Sequence, residues 1–322
     1  MTSISRVAVT GGCGFIGSHL TELLDSEGFA LLVIDDLSHP CGEPPPAGAD
    51  LLVADAGSPL AAAELLTFRP DAVVHLAARG GVAKALRDPA GHAETVLGSS
   101  VALMTAASAA GARSIVAASS GGAVYGDAGR LPADESLRPA PRSAYGAEKL
   151  AEEAYLGAIG RTAGVRTLAL RFGNVYGARQ DGTGEAGVVA ITCDRLRQGM
   201  RPVVFGDGGQ TRDFVNASDV ATAVFAALRS EADGAINIGT GRETSVTTVV
   251  ETLCRVAGAT QGIERRGGRD GEVRRACLSI EAARRKLGWA PVVSLEAGLT
   301  RTWDWFEQRS PEKTALAVPE TA

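Results

Sequence analysis

Cysteine is sparse and scattered in this chain. Cys13, Cys41, Cys193, Cys254 and Cys277 form no C-x-x-C pair. An odd, dispersed set argues against a disulfide framework and against a zinc site, and the thiols are expected to be buried or half-buried. Long apolar runs are missing too; none approaches the about 20 residues that a membrane span needs. There is no block of like charge and no basic amphipathic stretch. With 37 acidic and 32 basic residues the net charge is −5, which gives no footprint for nucleic acid or for an anionic membrane surface. The opening MTSISRVAVTGG has no basic segment, apolar segment or cleavage site and is expected to run straight into a strand, so the cytoplasm is the expected compartment.

What remains is ordinary globular material: 322 residues, 45% hydrophobic and 21% charged, with 40 glycines. That length suits one large α/β domain, or a nucleotide-binding domain with a smaller capping part. In the first half, short β-branched runs alternate with helical stretches. Strands are predicted at 6–10 (RVAVT), 31–35 (LLVID), 51–54, 72–76 (AVVHL), 114–118 (SIVAA) and 166–171 (RTLALR). Helices are predicted at 14–26, 59–68, 90–110 and 144–162, and a Pro/Gly-rich loop at 39–50. Strands separated by helices mean right-handed βαβ units, hence a doubly wound parallel sheet covered on both faces. After residue 172 the rhythm breaks. Residues 1–172 are expected to form the nucleotide-binding sheet domain, whose core continues to share later segments; helices at 188–198, 218–230, 246–257, 280–287 and 295–306 are expected to build mainly a smaller α/β substrate-binding domain over residues 173–308, followed by a flexible tail at 309–322.

Gly11, Gly14 and Gly17, with Phe15 and Ile16 between the last two, follow the first strand and open the first helix. Glycines let the backbone turn tightly against a pyrophosphate, and the helix N-terminus supplies N–H donors and a favourable dipole. A second test is an acid at the end of the second strand, and Asp35 meets it with Asp36 beside it. A carboxylate accepts hydrogen bonds from ribose hydroxyls and repels a 2′-phosphate, which favours NAD over NADP. Asp55, after the third strand, is placed to face the adenine edge.

Tyr145 and Lys149 form a Tyr-x-x-x-Lys pair on a predicted helix, which puts both side chains on one face. A phenol is a weak base at neutral pH. A neighbouring ammonium and a positive nicotinamide ring favour its ionised form, so Tyr145 is placed to accept a hydroxyl proton as hydride leaves the same carbon. Lys149 is also placed to bond the nicotinamide ribose.

Further segments carry a resemblance. TGGCGFIGSHL, HLAA, SSGGAVYG, SAYGAEK, RFGNVYG and FGDGGQTRDFVNASDVA resemble the extended short-chain dehydrogenase/reductase family and, within it, the UDP-glucose 4-epimerase group. ARQDGTGEAGVVAI, residues 178–191, is the most epimerase-like stretch. The resemblance implies that Leu76, Ala77 and Ala78 of HLAA line the cofactor site. It implies that Asn174 sits at the substrate diphosphate and Val188 near the uracil end, that Arg212 and Arg269 pair with phosphates, and that Ala276 limits sugar size. The implied reaction is oxidation at C4 of a nucleotide-linked hexose, rotation of the keto-sugar and hydride return. A homodimer through the helices at 90–110 and 144–162 is implied as well.

The chain departs from that pattern at Gly121, where the resemblance leads one to expect a Ser or Thr relaying the proton. Ser119 shares strand parity with Gly121 and is one candidate substitute, beside a water or direct contact of Tyr145 with the sugar; the space at Gly121 is expected to be open, so Gly121→Ser should be tolerated. Thr95 stands where Asn is frequent. Gly121-Gly122-Ala123 also lacks the acidic pair of the resembling dehydratases and the Glu of the decarboxylases. Two other readings compete: a net redox enzyme such as a 4-ketoreductase on a nucleotide-linked deoxysugar, and a non-catalytic NAD-binding regulator, which would leave the Tyr145/Lys149 pair without a purpose.

Overall fold

The computed structural model describes residues 4–39, 43–78, 82–182, 187–268 and 273–309. The chain runs through β1 (Arg6–Thr10), α1 (Phe15–Ser26), β2 (Ala30–Asp35), β3 (Asp50–Val53), α2 (Pro59–Phe68), β4 (Ala72–His75), α3 (Val82–Arg87), α4 (Pro89–Ala109), β5 (Ser114–Ser120), α5 (Gly121–Val124), α6 (Ala144–Ala163) and β6 (Arg166–Phe172). It continues with β7 (Asn174–Tyr176), α7 (Val188–Arg197), β8 (Val203–Phe205), β9 (Thr211–Arg212), β10 (Phe214–Asn216), α8 (Ala217–Leu228) and β11 (Gly234–Ile238). It closes with β12 (Thr244–Ser245), α9 (Val246–Val256), β13 (Glu264–Arg266), α10 (Glu281–Leu287) and α11 (Leu295–Gln308).

Seven parallel strands lie in the order β11-β6-β5-β4-β1-β2-β3. The crossovers reverse direction between β1 and β4, which opens a crevice at the carboxyl ends of those strands. Alternation along each strand feeds two cores. Val7 and Val9 of β1 face Leu20 and Leu24 of α1 and Val220 and Val224 of α8, while Ala8 faces Leu65, Leu103, Met104 and Leu156 from α2, α4 and α6. The helices start where their capping residues dictate. Ser58 accepts from Ala61 N ahead of Pro59, Asp88 from Gly91 N ahead of Pro89, and Ser143 from Gly146 N.

The doubly wound sheet is as expected from the sequence, and segments after residue 172 share it. β11 pairs in register with β6 as the seventh strand, and α8 packs on the same sheet face as α1. β11 reads GAINI, a Gly, an Ala and a buried Asn among two isoleucines, too weak an apolar run to announce a strand of the main sheet. A separate core of Tyr176, Cys193, Phe214, Leu253 and Trp303 joins α7, α9 and α11 beside the sheet. Residues 310–322 of the expected tail lie outside the described residues.

Candidate active site

The turn from β1 into α1 is closed by contacts that leave no room for side chains. Gly11 adopts φ +70, and a Cβ there would lie 2.7 Å from Ala77 N. A Cβ on Gly17 would lie 2.0 Å from Gly11 O. No side chain caps Gly14 at the head of α1, so the first N–H groups of that helix face the crevice with the dipole behind them.

Above this turn lies a cleft of about 310 Å³. Its lining contains Gly11, Gly14, Phe15, Ile16 and Gly17 from the β1–α1 turn, Asp35, Asp36 and Asp55 from the ends of β2 and β3, and Leu76, Ala77 and Ala78 after β4. The predicted cofactor residues other than the catalytic pair are thus brought to one place. Asp35 is buried and also organises the turn: its oxygens accept from Cys13 N and Leu37 N, both at 2.9 Å. Burial pushes the Asp35 carboxyl up, against the pull of those two N–H groups. Each oxygen keeps a second lone pair open to a further donor. Asp36 accepts from Ser38 N, and Asp55 from Gly57 N and the Ser99 hydroxyl.

Tyr145 and Lys149 lie outside that lining, one turn apart at the start of α6. Tyr145 is half-buried and Lys149 buried. A chain of buried polar groups leads from Lys149 back to the cleft. Lys149 Nζ donates to Glu152 at 2.8 Å, and the Ser100 hydroxyl donates to the other Glu152 oxygen at 3.0 Å. With that proton committed, Ser100 Oγ accepts from His75 Nε2 at 2.9 Å, and His75 Nδ1 accepts from the Thr10 hydroxyl at 2.7 Å. Burial opposes the charge on Lys149, but Glu152 and then Tyr145 outweigh it and raise the ammonium above its usual range. Sequence reasoning quoted the HLAA segment without giving His75 a role, and it passed over Ser100 and Glu152. The only local signal was the i+3 spacing of Glu152 from Lys149.

Burial pushes the His75 imidazole down to about 4, against the raising influence of Glu152. Below about 6.5 the unfolded chain takes up a proton that the folded chain refuses until about 4. Stability is therefore expected to fall as pH drops through that window, by up to about 3 kcal/mol. Urea unfolding at pH 7 and pH 4.5 checks this, and a His75→Gln variant should show a flatter pH dependence than the parent.

Two expectations at the end of β5 are corrected. The Ser119 hydroxyl is not free at the gap; it donates to Glu153 at 2.6 Å. Glu153 is gripped at both oxygens by Arg171, whose Nη1 donates to the Tyr125 hydroxyl, and Tyr125 in turn donates to Asn237. Ser119 thus belongs to a network that ties α6 to β6 and β11. Nor is the space at Gly121 open, because a Cβ there would lie 2.6 and 2.7 Å from the two Leu278 methyl carbons. Leu278 is buried against Val124, Tyr125 and Ala133, and its N–H is held by Asp213. Gly121→Ser is now expected to lower stability by about 1–3 kcal/mol, with Leu278→Ala in the same chain relieving the crowding; melting temperatures of the single and double variants check it.

On the far side of β5, Asn174 is exposed, and a Cβ on Gly122 would lie 3.6 Å from its Oδ1, so its amide faces the start of α5. Arg212 Nη1 donates to Thr211 O, which also accepts from Ala276 N at 3.2 Å, so Arg212 and Ala276 stand side by side. Val188 opens α7 and packs partly into the core beneath it. Arg269 lies outside the described residues. Arg179, from the segment after β7, also lines the cleft, and the sequence reading gave it no role of its own.

Comparison with known proteins settles the family. Residues 7–239 match the NAD dependent epimerase/dehydratase family. The chain belongs to that family. A UDP-glucose 4-epimerase of Mycolicibacterium smegmatis is 37% identical over 316 residues, covering 95% of this chain and 99% of that one. The structure of a UDP-glucose 4-epimerase from Thermotoga maritima with UDP-glucose superposes with a TM-score of 0.90 at 37% identity, covering 94% of this chain and 98% of the other. A Thermus thermophilus UDP-glucose 4-epimerase in complex with NAD superposes with a TM-score of 0.89 at 36% identity, covering 95% and 100%. The glycine turn and the Asp35 carboxylate are thus those of an NAD-dependent family, and the chemistry of their donors and acceptors fits that cofactor.

Proposed function

We propose that this chain interconverts the C4 epimers of a UDP-linked hexose, of the glucose/galactose type, with NAD held throughout. The observation that carries the reading is the Tyr145/Lys149 pair on one face of α6, joined through Glu152, Ser100 and His75 to a cleft with a glycine turn and an acid at Asp35. The first turn of α1 receives the dinucleotide diphosphate, and Asp35 and Asp36 accept from the adenosine ribose. NAD held there would supply the hydride acceptor and donor for C4 of the sugar. Tyr145 accepts the proton of the C4 hydroxyl as that carbon is oxidised and returns it when the hydrogen comes back. Lys149, kept charged by Glu152, stabilises the ionised phenol. Asn174 and Arg212 hold the nucleotide diphosphate while the hexose turns above it.

Elimination of water needs an acid and a base near C5 and C6. The end of β5 offers Gly121, Gly122 and Ala123, and the carboxylate that meets Ser119 of that strand, Glu153 of α6, is bound by Arg171 and Ser119. This favours epimerisation over dehydration. The test is incubation of the protein with UDP-glucose, UDP-GlcNAc, UDP-glucuronate and dTDP-glucose, read by proton NMR without added reductant. Appearance of the UDP-galactose epimer with no net change in nicotinamide absorbance supports the reading. A product lacking water or carbon dioxide, or steady cofactor consumption, contradicts it.

Ala276, beside Arg212, leaves room for a 2-acetamido group. Ala276→Tyr is expected to reduce turnover of UDP-GlcNAc by about 10-fold or more relative to UDP-glucose, measured as the ratio of the two kcat/KM values. We also place the protein in the cytoplasm as a homodimer through α4 and α6, which pack together and leave Tyr155 47% exposed. A solution mass of one chain by light scattering contradicts the dimer.

A further inference from the structure

We propose that Arg179 is a clasp for the diphosphate of NAD, fastening the segment after β7 over the head of α1. Residues 178–182 lie against α1 at two points. Ala178 O accepts from His19 Nε2 at 3.0 Å, and Arg179 Nη2 donates to Glu22. Phe15, His19 and Glu22 recur at helical spacing, so one face of α1 carries the cleft floor and both attachment points. Burial lowers the His19 imidazole below its usual range, which keeps it neutral as a donor to that carbonyl.

Three features of Arg179 call for an anion. Its Nη1 is buried and has no hydrogen-bond partner, while its Nη2 is held by Glu22. The side chain lines the same cleft as Gly11, Phe15 and Gly17. Its backbone sits at φ 69, a left-handed conformation that a residue with a Cβ adopts only when its surroundings demand it. A buried cationic donor left unpaired is costly, and a guanidinium with one edge tethered and the other free is shaped for an oxyanion.

The position selects the anion. Arg179 shares its cleft with the β1–α1 turn, whose uncapped N–H groups suit a pyrophosphate, whereas Asn174, Arg212 and Ala276 are not part of that lining. The ribose end carries Asp35 and Asp36, which repel a phosphate. The clasp rests on the proposed function only in its purpose, since an enzyme that restores its cofactor each cycle must not release it between the two steps. The binding itself requires no turnover.

The test uses full-length protein freed of nucleotide, with NAD and UDP affinities measured by calorimetry. Arg179→Gln is expected to weaken NAD binding by about 10- to 100-fold and to leave UDP binding unchanged. Arg179→Lys keeps the charge but loses the planar fork, so its NAD affinity should fall between the two. Should the Gln variant not fold, the Lys variant alone decides. NAD affinity within about twofold of the parent in the folded variants, or a loss that falls on UDP instead, overturns the proposal. Neither readout depends on which sugar is epimerised, so failure of the clasp and failure of the epimerase reading are distinguishable.

Discussion

Replacing Tyr145 with Phe is expected to lower kcat by about 10²- to 10⁴-fold with NAD affinity and melting temperature near those of the parent. The substitution keeps the half-buried ring and removes only a hydroxyl, which makes no hydrogen bond among the described residues. Stability therefore has little to lose. Activity has much to lose, because the phenol is the group assigned to the C4 hydroxyl proton and the Ser119 hydroxyl already donates to Glu153. If the hydroxyl acts in the transition state, kcat and kcat/KM should fall together while KM changes little. Activity within tenfold of the parent, with matched folding and cofactor content, removes Tyr145 from the mechanism.

Lys149→Ala is expected to cost about 3–5 kcal/mol of stability as well as activity. Lys149 and Glu152 are both buried, and deleting the ammonium leaves a carboxylate in the core with only the Ser100 hydroxyl for company. The loss is an effect of breaking the pair, so removing both charges should largely undo it. Lys149→Met with Glu152→Gln is expected to recover most of the stability and none of the turnover. Urea midpoints of the single and double variants, set against their kcat values, separate the structural role of the pair from the catalytic one. A double variant as unstable as Lys149→Ala denies the ion pair its place in the folding energetics.

The parts of this site that were legible in advance are those encoded by spacing along the chain. Gly11, Gly14 and Gly17 follow a β-branched strand and begin a helix, Asp35 closes the next strand, and Tyr145 and Lys149 are one helical turn apart; each pattern is local and survives any packing. What was not legible depends on partners brought from elsewhere. Nothing near Gly121 discloses that Leu278 fills the space beside it. Nothing near Ser119 discloses that Glu153, on the next long helix, accepts its hydrogen bond. The Arg179–Glu22 pair and the Ser100–Glu152 bond join segments whose sequences carry no mutual signature. β11 escaped because its place in the sheet is set by pairing with β6 and not by its own apolar content. Periodicity reports which face of an element is buried, and is silent on what it is buried against.

The central claim is that the hydrogen lost from C4 of the sugar is the one returned to it, with Tyr145 carrying the hydroxyl proton. It is tested most directly by incubating the protein, without added cofactor, with UDP-glucose deuterated at C4 and following the label by NMR. The account expects UDP-galactose that keeps the deuterium at C4, no solvent hydrogen at that carbon, and no accumulation of reduced nicotinamide. Loss of the label to solvent, or label migrating to a free cofactor pool as product forms, contradicts it.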